Sequence, residues 1–358
     1  MTILAATILL NALATSSASE LQPLLDQLRV EQNVPGMSAV VTSAGDVLFA
    51  GGSGVADIES GRAMTADTLM YSGSLSKIFT ATLVLNLVDD NTLSLDQTLE
   101  GMAGHQADVT VAHLLTHSSG LVREGNFGYW FSGEFPDRTA LATFLGDTEL
   151  RTTPGESVRY SNIGFATLGL MIEDATGTSY HDALAQRVLI PLGMVRSGSP
   201  GPADDIARGY TPAGRIVPSE SRPFAGVGHA VGDRYLREYH DAAAMTPAFG
   251  IYTTVSDLGR LARFLLGYGG NNVLPEDLRR LMLEPQTSRR TYGLGSERYQ
   301  GRRLARHGGW FAAHKSHILI DLDAEIGVAV LANSDNADPD AIAKALLTAV
   351  LNSVEAAD

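Results

Sequence analysis

The feature that most restricts the fold of this chain is the placement of strand-like segments at both of its ends. Residues 37–42 and 47–51 are rich in β-forming side chains and are separated by the short turn 44–46, which predicts a hairpin. Residues 317–322 and 326–332 form a second such pair, and a long, mostly helical stretch lies between the two pairs. The predicted fold class is therefore α+β, with one antiparallel sheet built from both termini, flanked by helices, and a helical lobe inserted.

Domain boundaries follow from this pattern. The sheet lobe is predicted to comprise residues 19–73 and 291–358, and the helical lobe residues 74–290. Within the helical lobe, residues 197–247 are rich in Gly, Pro, Ser and Arg and poor in periodicity, so they are interpreted as loops and as a candidate lid. A last helix is predicted to begin at Asp338 and the proline after it, because Asp can cap a helix and Pro fits its first position.

The N-terminal segment predicts export. Its apolar stretch ends in small side chains at Ser16 and Ala18, which is typical of a cleavable signal peptide, residues 1–18, on a periplasmic or secreted protein. The alternative is a buried N-terminal helix on a cytoplasmic protein, and the absence of Lys or Arg near Met1 favours it. No other apolar run approaches the roughly 20 residues that span a bilayer, so no membrane segment is predicted in the mature chain.

Charge and composition restrict the partners. The formal net charge of −14 disfavours nucleic-acid backbones and anionic membrane surfaces, because both would repel the chain. A small molecule or a short peptide is the expected substrate. The oligomeric state is not predicted from the sequence. Without cysteine there can be no disulfide and no thiolate nucleophile. His314 and His317 have no carboxylate close in sequence to complete a ligand set, so no metal site is expected.

A serine and a lysine stand three residues apart in a chain that otherwise uses arginine as its cation. Only three of the 26 basic residues are lysines. Ser74 and Lys77 begin an apolar run that predicts a buried helix, and their spacing places both side chains on one face. A buried lysine can have a lowered pKa and exchange a proton with the hydroxyl, which arginine cannot do. The pattern indicates a serine nucleophile; the alternative is a helix N-cap followed by an incidental lysine.

Two later motifs supply candidate partners. Tyr160 and Asn162 precede another helical run, where a phenol can relay a proton and an amide can orient the lysine and donate to a substrate carbonyl. His307, Gly308 and Gly309 lie on what is predicted to be the edge strand of the sheet, where glycines let a substrate approach the backbone closely. The alternatives are a helix-entry turn for the first motif and a satisfied strand histidine for the second.

These three elements, in this order, resemble the penicillin-recognising serine hydrolases: class C β-lactamases, DD-peptidases, family VIII carboxylesterases and D-aminopeptidases. The element S-x-x-K is a signature of β-lactamases and penicillin-binding proteins. Residues 111–121, the pair Pro154-Gly155 and residues 191–194 are also similar to family segments, so the resemblance covers about residues 20–335. It implies a β-lactamase-like fold.

The resemblance also implies roles for the site residues. Ser74 would be the acylated nucleophile, Lys77 its proton partner, and Tyr160 the general base that later protonates the leaving group. The backbone N–H groups of Ser74 and Trp310 would form the oxyanion hole. The residues implied to bind substrate are Asn162, His307, Gly308, Gly309 and Trp310. No cofactor and no metal are implied.

The expected activity is that of a serine hydrolase working through an acyl-enzyme on Ser74 and cleaving carboxylic esters or D-configured amides and peptides. One alternative is a DD-peptidase or β-lactamase acting on cell-wall peptides or β-lactams. Efficient β-lactam hydrolysis is not expected, because many β-lactamases carry a lysine where this chain has His307, and histidine is at most partly charged near neutral pH. An alternative of another class is a binding module that traps an acyl group without turnover.

Two further groups of residues accompany these motifs. His113, His117 and Ser118 are interpreted as a structural turn below the site. A glycine-containing loop further along is crowded with aromatic side chains, which either wall an acyl pocket or pack the lobe. These aromatic residues are Phe127, Tyr129, Trp130, Phe131 and Phe135.

Overall fold

The structure is a computed structural model that describes residues 20–43, 45–99, 108–201, 204–213, 227–237, 241–270, 272–287 and 289–355. The predicted signal peptide lies outside the described residues. In chain order the strands of this part are β1 (Gly36–Thr42), β2 (Val47–Gly54), β3 (Met70–Tyr71), β4 (Gly209–Pro212), β5 (Val227–Val231), β6 (Arg234–Arg237), β7 (Tyr252–Thr253), β8 (Gly295–Tyr299), β9 (Arg302–Phe311), β10 (His314–Asp321) and β11 (Ile326–Ala332). The helices are α1 (20–31), α2 (Ser76–Asp89), α3 (Val111–Leu115), α4 (Tyr129–Ser132), α5 (Arg138–Asp147), α6 (Asn162–Thr176), α7 (Tyr180–Leu184), α8 (Thr246–Phe249), α9 (Val255–Leu265), α10 (Glu276–Leu281) and α11 (Pro339–Glu355).

The main sheet joins the two ends of the chain. Its strand order is β2-β1-β11-β10-β9-β8, and every neighbouring pair is antiparallel. β1, from the N-terminal part, pairs with β11, from the C-terminal part, so that Met37 lies opposite Ala332. The predicted α+β class and the antiparallel sheet built from both termini are confirmed.

Helices cover both faces of the sheet, and the alternation of side chains along β1 serves both cores. Met37 and Val41 lie in one hydrophobic cluster with Leu25 of α1 and Leu346 of α11. Val40 points to the other face and belongs to the larger cluster, on whose side α9 packs against β1 and β11. α11 begins where the sequence predicts, with Oδ1 of Asp338 accepting the N–H group of residue 341 at 3.1 Å.

Helix α2 is the buried helix predicted to follow Ser74. Eleven of its fourteen residues are buried, and α6 and α8 pack beside it. A helix that is apolar on every side is stable only when protein surrounds it. None of the helices formed by the described residues combines the length and the apolar character needed to cross a bilayer.

The expectation that β9, the strand of His307, is the outermost strand of the sheet is only partly correct. β8 lies outside β9, and its polar sequence hid its strand character. β8 pairs only with residues 302–306 of β9. From His307 onward, β9 therefore has no strand partner on its outer side within the described part of the chain.

The interpretation of residues 197–247 as loops is incomplete. Their described part contains the antiparallel sheet β4-β6-β5. Each of these strands is only four or five residues long, and β4 and β5 contain glycine. Such short strands lack the alternation by which a strand is predicted.

Leu346 tests the core between α11 and the sheet, where it is fully buried. Leu346→Ala is expected to lower the free energy of unfolding by about 2–5 kcal/mol, because truncation removes contacts and leaves a cavity. Asn352→Ala, at an exposed position of the same helix, is the matched control and should change it by less than about 0.5 kcal/mol. Chemical denaturation measures both values, and equal stabilities would contradict this packing.

Candidate active site

Ser74 lies in a 3-10 turn, Gly73–Leu75, that leads directly into α2. Gly73 has φ +54°, a left-handed conformation that favours glycine. The turn also lies against β9, because a Cβ atom on Gly73 would come within 2.3 Å of the backbone N of Trp310. Ser74 is thus placed where the first turn before α2 meets the sheet.

Lys77 is fully buried one turn further along, and its ammonium group is held by oxygen atoms of three residues. Nζ donates to Oδ1 of Asn162 at 2.8 Å, to the carbonyl oxygen of Ala248 at 2.6 Å and to Oγ of Ser74 at 3.3 Å. The structure therefore brings the serine and the lysine together, with the amine away from bulk water.

The electrostatic surroundings of Lys77 favour its neutral form. Burial holds the pKa of the Lys77 ammonium well below its usual value, because the charge loses its hydration. Glu124 opposes this lowering of the pKa, whereas Arg123 and Arg290 add to it. An amine with a lowered pKa can accept a proton from an adjacent hydroxyl near neutral pH.

Three basic side chains lie around the phenol ring of Tyr160. Its ring centroid lies 4.8 Å from Nζ of Lys77, 5.4 Å from the guanidinium of Arg123 and 5.7 Å from that of Arg290. Burial raises the pKa of Tyr160 to about 12, while a hydrogen bond with Ser74 and the two guanidinium groups work against this rise. Ser74, Lys77 and Tyr160 thus form one constellation, as the sequence analysis requires.

His117 supports Tyr160 from another side, with ring centroids 4.4 Å apart. Nδ1 of His117 accepts the backbone N–H of Ser161 at 3.1 Å, which fixes the chain at the start of α6. His113 caps α3 instead, since its Nδ1 accepts the N–H of Thr110 at 3.3 Å. Both contacts are structural, as expected, but the direct contact of His117 with Tyr160 was not indicated by the sequence.

Glu124 is a site residue that the sequence analysis missed. Oε1 of Glu124 accepts Nδ2–H of Asn162 at 2.5 Å, and its other oxygen accepts the hydroxyl of Tyr129. Because Oδ1 of Asn162 accepts from Lys77, the amide bridges the carboxylate and the ammonium and its orientation is fixed by both. Glu124 and Asn162 are 38 residues apart in the chain, so no local pattern could reveal the contact.

His307 is buried on β9 and lines the same cleft as Ser74. Its Nδ1 lies 2.7 Å from the carbonyl oxygen of Gly308. Burial lowers the pKa of His307 to about 3, and the charge of Lys77 also lowers it, against the effect of the hydrogen bond to Gly308. The imidazole is therefore neutral near pH 7, in contrast to a lysine in this position.

Gly309 allows β9 to approach the serine. A Cβ atom there would lie 2.2 Å from the carbonyl oxygen of Ser72 and 2.9 Å from the backbone N of Ser74. A Cβ atom on Gly308 would meet Nδ1 of His317 at 3.4 Å, which is an ordinary contact. Of the two glycines, only Gly309 is required by packing.

The predicted site residues other than the buried Lys77 line one cleft with a volume of about 910 Å³. Trp130, Phe249 and Trp310 supply apolar parts of its wall, and Nε1 of Trp310 donates to Asp335 at 2.6 Å. From the aromatic loop, Trp130 thus lines the cleft, whereas Tyr129 is buried and packs lobe side chains. The side chain of Phe131 lies outside the described residues.

No group of three or more His, Asp or Glu side chains is arranged to hold a metal ion within the part of the chain that the structure describes. His317 does acquire a carboxylate neighbour through folding. Its Nε2 lies 3.1 Å from Oδ1 of Asp340, which belongs to α11. A carboxylate from a distant part of the sequence therefore reaches this histidine.

Comparison with known proteins identifies the family. A family model described as Beta-lactamase matches residues 21–353. The chain belongs to the β-lactamase family. Membership in this family accounts for the antiparallel sheet flanked by helices, and it places the chain among the serine hydrolases that include esterases and penicillin-binding proteins.

Three similar proteins illustrate the range of the β-lactamase family. The chain is 37% identical over 187 residues to penicillin-binding protein 4 from Amycolatopsis lactamdurans, a match that spans 49% of this chain and 48% of that protein. It is 28% identical over 340 residues to esterase EstB from Burkholderia gladioli, covering 86% of this chain and 81% of the esterase. The crystal structure of D-amino acid amidase from Ochrobactrum anthropi SV3 superposes with a TM-score of 0.81 at 23% identity, covering 96% of this chain and 100% of that one.

Gly309→Ala tests the contact between β9 and the turn that carries Ser74. A Cβ atom at this position would press on rigid backbone, so the substitution is expected to lower the free energy of unfolding by about 1–3 kcal/mol or more. Gly308→Ala is the matched control on the same strand, where the added Cβ meets only ordinary contacts. Thermal unfolding compares the two variants. A stable Gly309→Ala protein beside a destabilised Gly308→Ala protein would contradict the described approach of β9.

Proposed function

We propose that this protein is a serine hydrolase that forms an acyl-enzyme on Ser74 and cleaves carboxylic esters or D-configured amides and peptides. The observation that carries the proposal is the buried amine of Lys77, whose Nζ lies 3.3 Å from Oγ of Ser74 and whose pKa is lowered by burial. A buried ammonium is costly in a purely structural role. The position of Lys77 beside the hydroxyl of Ser74 is explained if the amine exchanges a proton with that hydroxyl.

The proposed reaction has two steps. In the first, Oγ of Ser74 attacks the substrate carbonyl while its proton passes to the constellation formed by Lys77 and Tyr160. The backbone N–H groups of Ser74 and Trp310 stabilise the oxyanion, and the phenol of Tyr160 protonates the leaving group. In the second, water attacks the ester carbonyl on Ser74 and gives a proton to the same groups. The bond to Oγ of Ser74 then breaks, the proton passes to Oγ, and the carboxylic acid product is released.

Asn162 has a positioning role in this proposal. Its side-chain oxygen accepts from Lys77, and its nitrogen donates to Glu124. The amide oxygen of Asn162 therefore accepts a hydrogen bond from Lys77. When the amine is neutral, this hydrogen bond fixes the direction of the lone pair on Nζ.

Esters are favoured over β-lactams as substrates. EstB, which matches most of this chain, is named an esterase, and a neutral His307 lacks the fixed charge that would bind the carboxylate of a β-lactam drug. D-configured amides and peptides are the second substrate class of the proposal. A DD-peptidase or β-lactamase is the alternative enzyme, to which the similarity with a penicillin-binding protein points. A binding module that is acylated without turnover is the alternative of another class.

A substrate panel tests the chemistry on the purified protein. It consists of a short p-nitrophenyl ester, a D-alanyl anilide, a D-Ala-D-Ala peptide and a chromogenic cephalosporin. We expect ester hydrolysis to be the fastest activity, with a mass increase on Ser74 when turnover is stopped by acid. Ser74→Ala should abolish both signals. Acylation that stays stoichiometric without continuing product would support the binding module.

Lys77→Arg, measured with the ester of the panel, tests whether residue 77 must exchange a proton or need only carry a positive charge. Arginine keeps the positive charge but stays protonated, so kcat/KM for the ester should fall by about 10²- to 10⁴-fold. Circular dichroism establishes that the variant is folded. Near wild-type hydrolysis by folded Lys77→Arg would rule out lysine as the proton acceptor.

Glu124→Gln tests the control of Lys77 by its charged neighbours. The carboxylate raises the pKa of Lys77 against the effect of burial, so its removal should lower that pKa further. Because the neutral amine is the active form, the acidic limb of the pH profile of kcat/KM should move to lower pH. Gln keeps an oxygen that can accept the Asn162 amide. A limb that moves to higher pH would contradict the assignment of Lys77 as the base.

A further inference from the structure

The two ring nitrogens of His307 have different surroundings. Nδ1 lies 2.7 Å from the carbonyl oxygen of Gly308. Nε2 is buried and has no hydrogen-bond partner among the described residues. Buried polar atoms are normally paired, and His307 lines the cleft, so a ligand bound in the cleft is a candidate partner for Nε2.

The contact at Nδ1 fixes the tautomer. A carbonyl oxygen can only accept a hydrogen bond, so Nδ1 must carry the hydrogen. In a neutral imidazole the other nitrogen then has a lone pair and no hydrogen. Nε2 of His307 is therefore an acceptor.

The charged groups around His307 oppose the protonated ring that would remove this lone pair. Lys77 of α2, Arg290 before β8 and His317 of β10 each disfavour the imidazolium. The ring of Tyr160, which precedes α6, lies 6.3 Å away, centroid to centroid. Among the described residues, the side chains with the largest electrostatic effect on His307 are therefore all basic.

We propose that His307 acts in the cleft as a hydrogen-bond acceptor and selects substrates that present a donor, such as an amide N–H or a hydroxyl, to β9 in place of a carboxylate. This inference deepens the proposed function and rests on it for its catalytic consequence. It reverses the role that a lysine would have in this position, because an ammonium group can only donate.

The selectivity follows from the cost of an unpaired polar group. A substrate amide would pair its N–H with Nε2 and leave nothing unsatisfied. A carboxylate in the same place has no hydrogen to donate, so its oxygen lone pairs would repel the lone pair on Nε2. Sites built to bond a particular donor or acceptor discriminate strongly against the analogue that lacks it.

The tautomer can be measured directly on the full chain, independently of catalysis. Two-dimensional ¹H–¹⁵N NMR of the imidazole rings should show His307 with hydrogen on Nδ1 and no titration from about pH 5 to pH 9. His314 is the internal control, since its Nε2 lies 2.9 Å from the carbonyl oxygen of Ala207 and should carry the hydrogen. His307→Gln assigns the signal by its loss. A His307 ring with hydrogen on Nε2, or one that titrates near pH 6.5, would overturn the proposal.

A matched pair of esters measures the selectivity. The probes are meta-acetoxybenzamide and meta-acetoxybenzoate, whose leaving groups differ only in carboxamide against carboxylate. The wild-type ratio of kcat/KM, amide over acid, should exceed that of His307→Lys by roughly ten-fold or more. In His307→Gln both rates can change, but the amide-over-acid ratio should stay closer to that of wild type than to that of His307→Lys, because the amide oxygen of Gln can still accept. Equal ratios in wild type and His307→Lys would overturn the proposal.

The two hypotheses fail in different ways. If Ser74→Ala still hydrolyses both probes, the proposed function is wrong, while the NMR result for His307 stands by itself. If His307→Lys does not fold, the tautomer measured in the wild-type protein decides the inference about the acceptor.

Discussion

The site depends on a single buried amine. Lys77 lies in a helix that is apolar on every side, and this burial lowers its pKa. A lysine without water needs other oxygen acceptors, and the structure supplies them from Asn162 of α6 and Ala248 of α8. The same requirement therefore holds α2, α6 and α8 in fixed relation. The apolar packing of these helices and the hydrogen bonds of one desolvated amine thus act together at Ser74.

The main sheet contributes to the site through contacts between its backbone and the turn that carries Ser74. β9 touches the turn before α2 at Gly73 and Gly309, where side chains would collide with the neighbouring backbone. Oγ of Ser316 on β10 donates to the carbonyl oxygen of Ser72 at 2.6 Å and ties the same turn to the sheet. The position of Ser74 is therefore set from both sides, by the helix that follows it and by the strands beside it. A hydroxyl held in this way needs little reorganisation before it reacts.

Residues that act through short-range patterns could be predicted from the sequence, whereas those that act through folding could not. Ser74 lies in the turn that leads into α2 and Lys77 lies three residues later in its first turn, so their spacing alone indicates that the side chains meet. Glu124 contacts Asn162, and His117 contacts Tyr160, only because separate segments of the chain come together on folding. Periodicity in the sequence does not predict such contacts. The strands at both ends were readable because their apolar residues are contiguous. β8 was missed because it is polar and lies at the edge of the sheet, where burial imposes no apolar pattern.

The distribution of charge explains how a neutral histidine can replace a lysine in this site. The chain carries a net charge of −14, yet Arg123 and Arg290 both lie over the ring of Tyr160. Cations beside a phenol stabilise the negative charge that develops on it during proton transfer, and they do so most strongly away from water. Positive charge is thus concentrated beside the phenol that transfers the proton in the proposed mechanism. In the proposed mechanism β9 faces the substrate, and it can present the uncharged ring of His307 because two guanidinium groups already lie beside Tyr160.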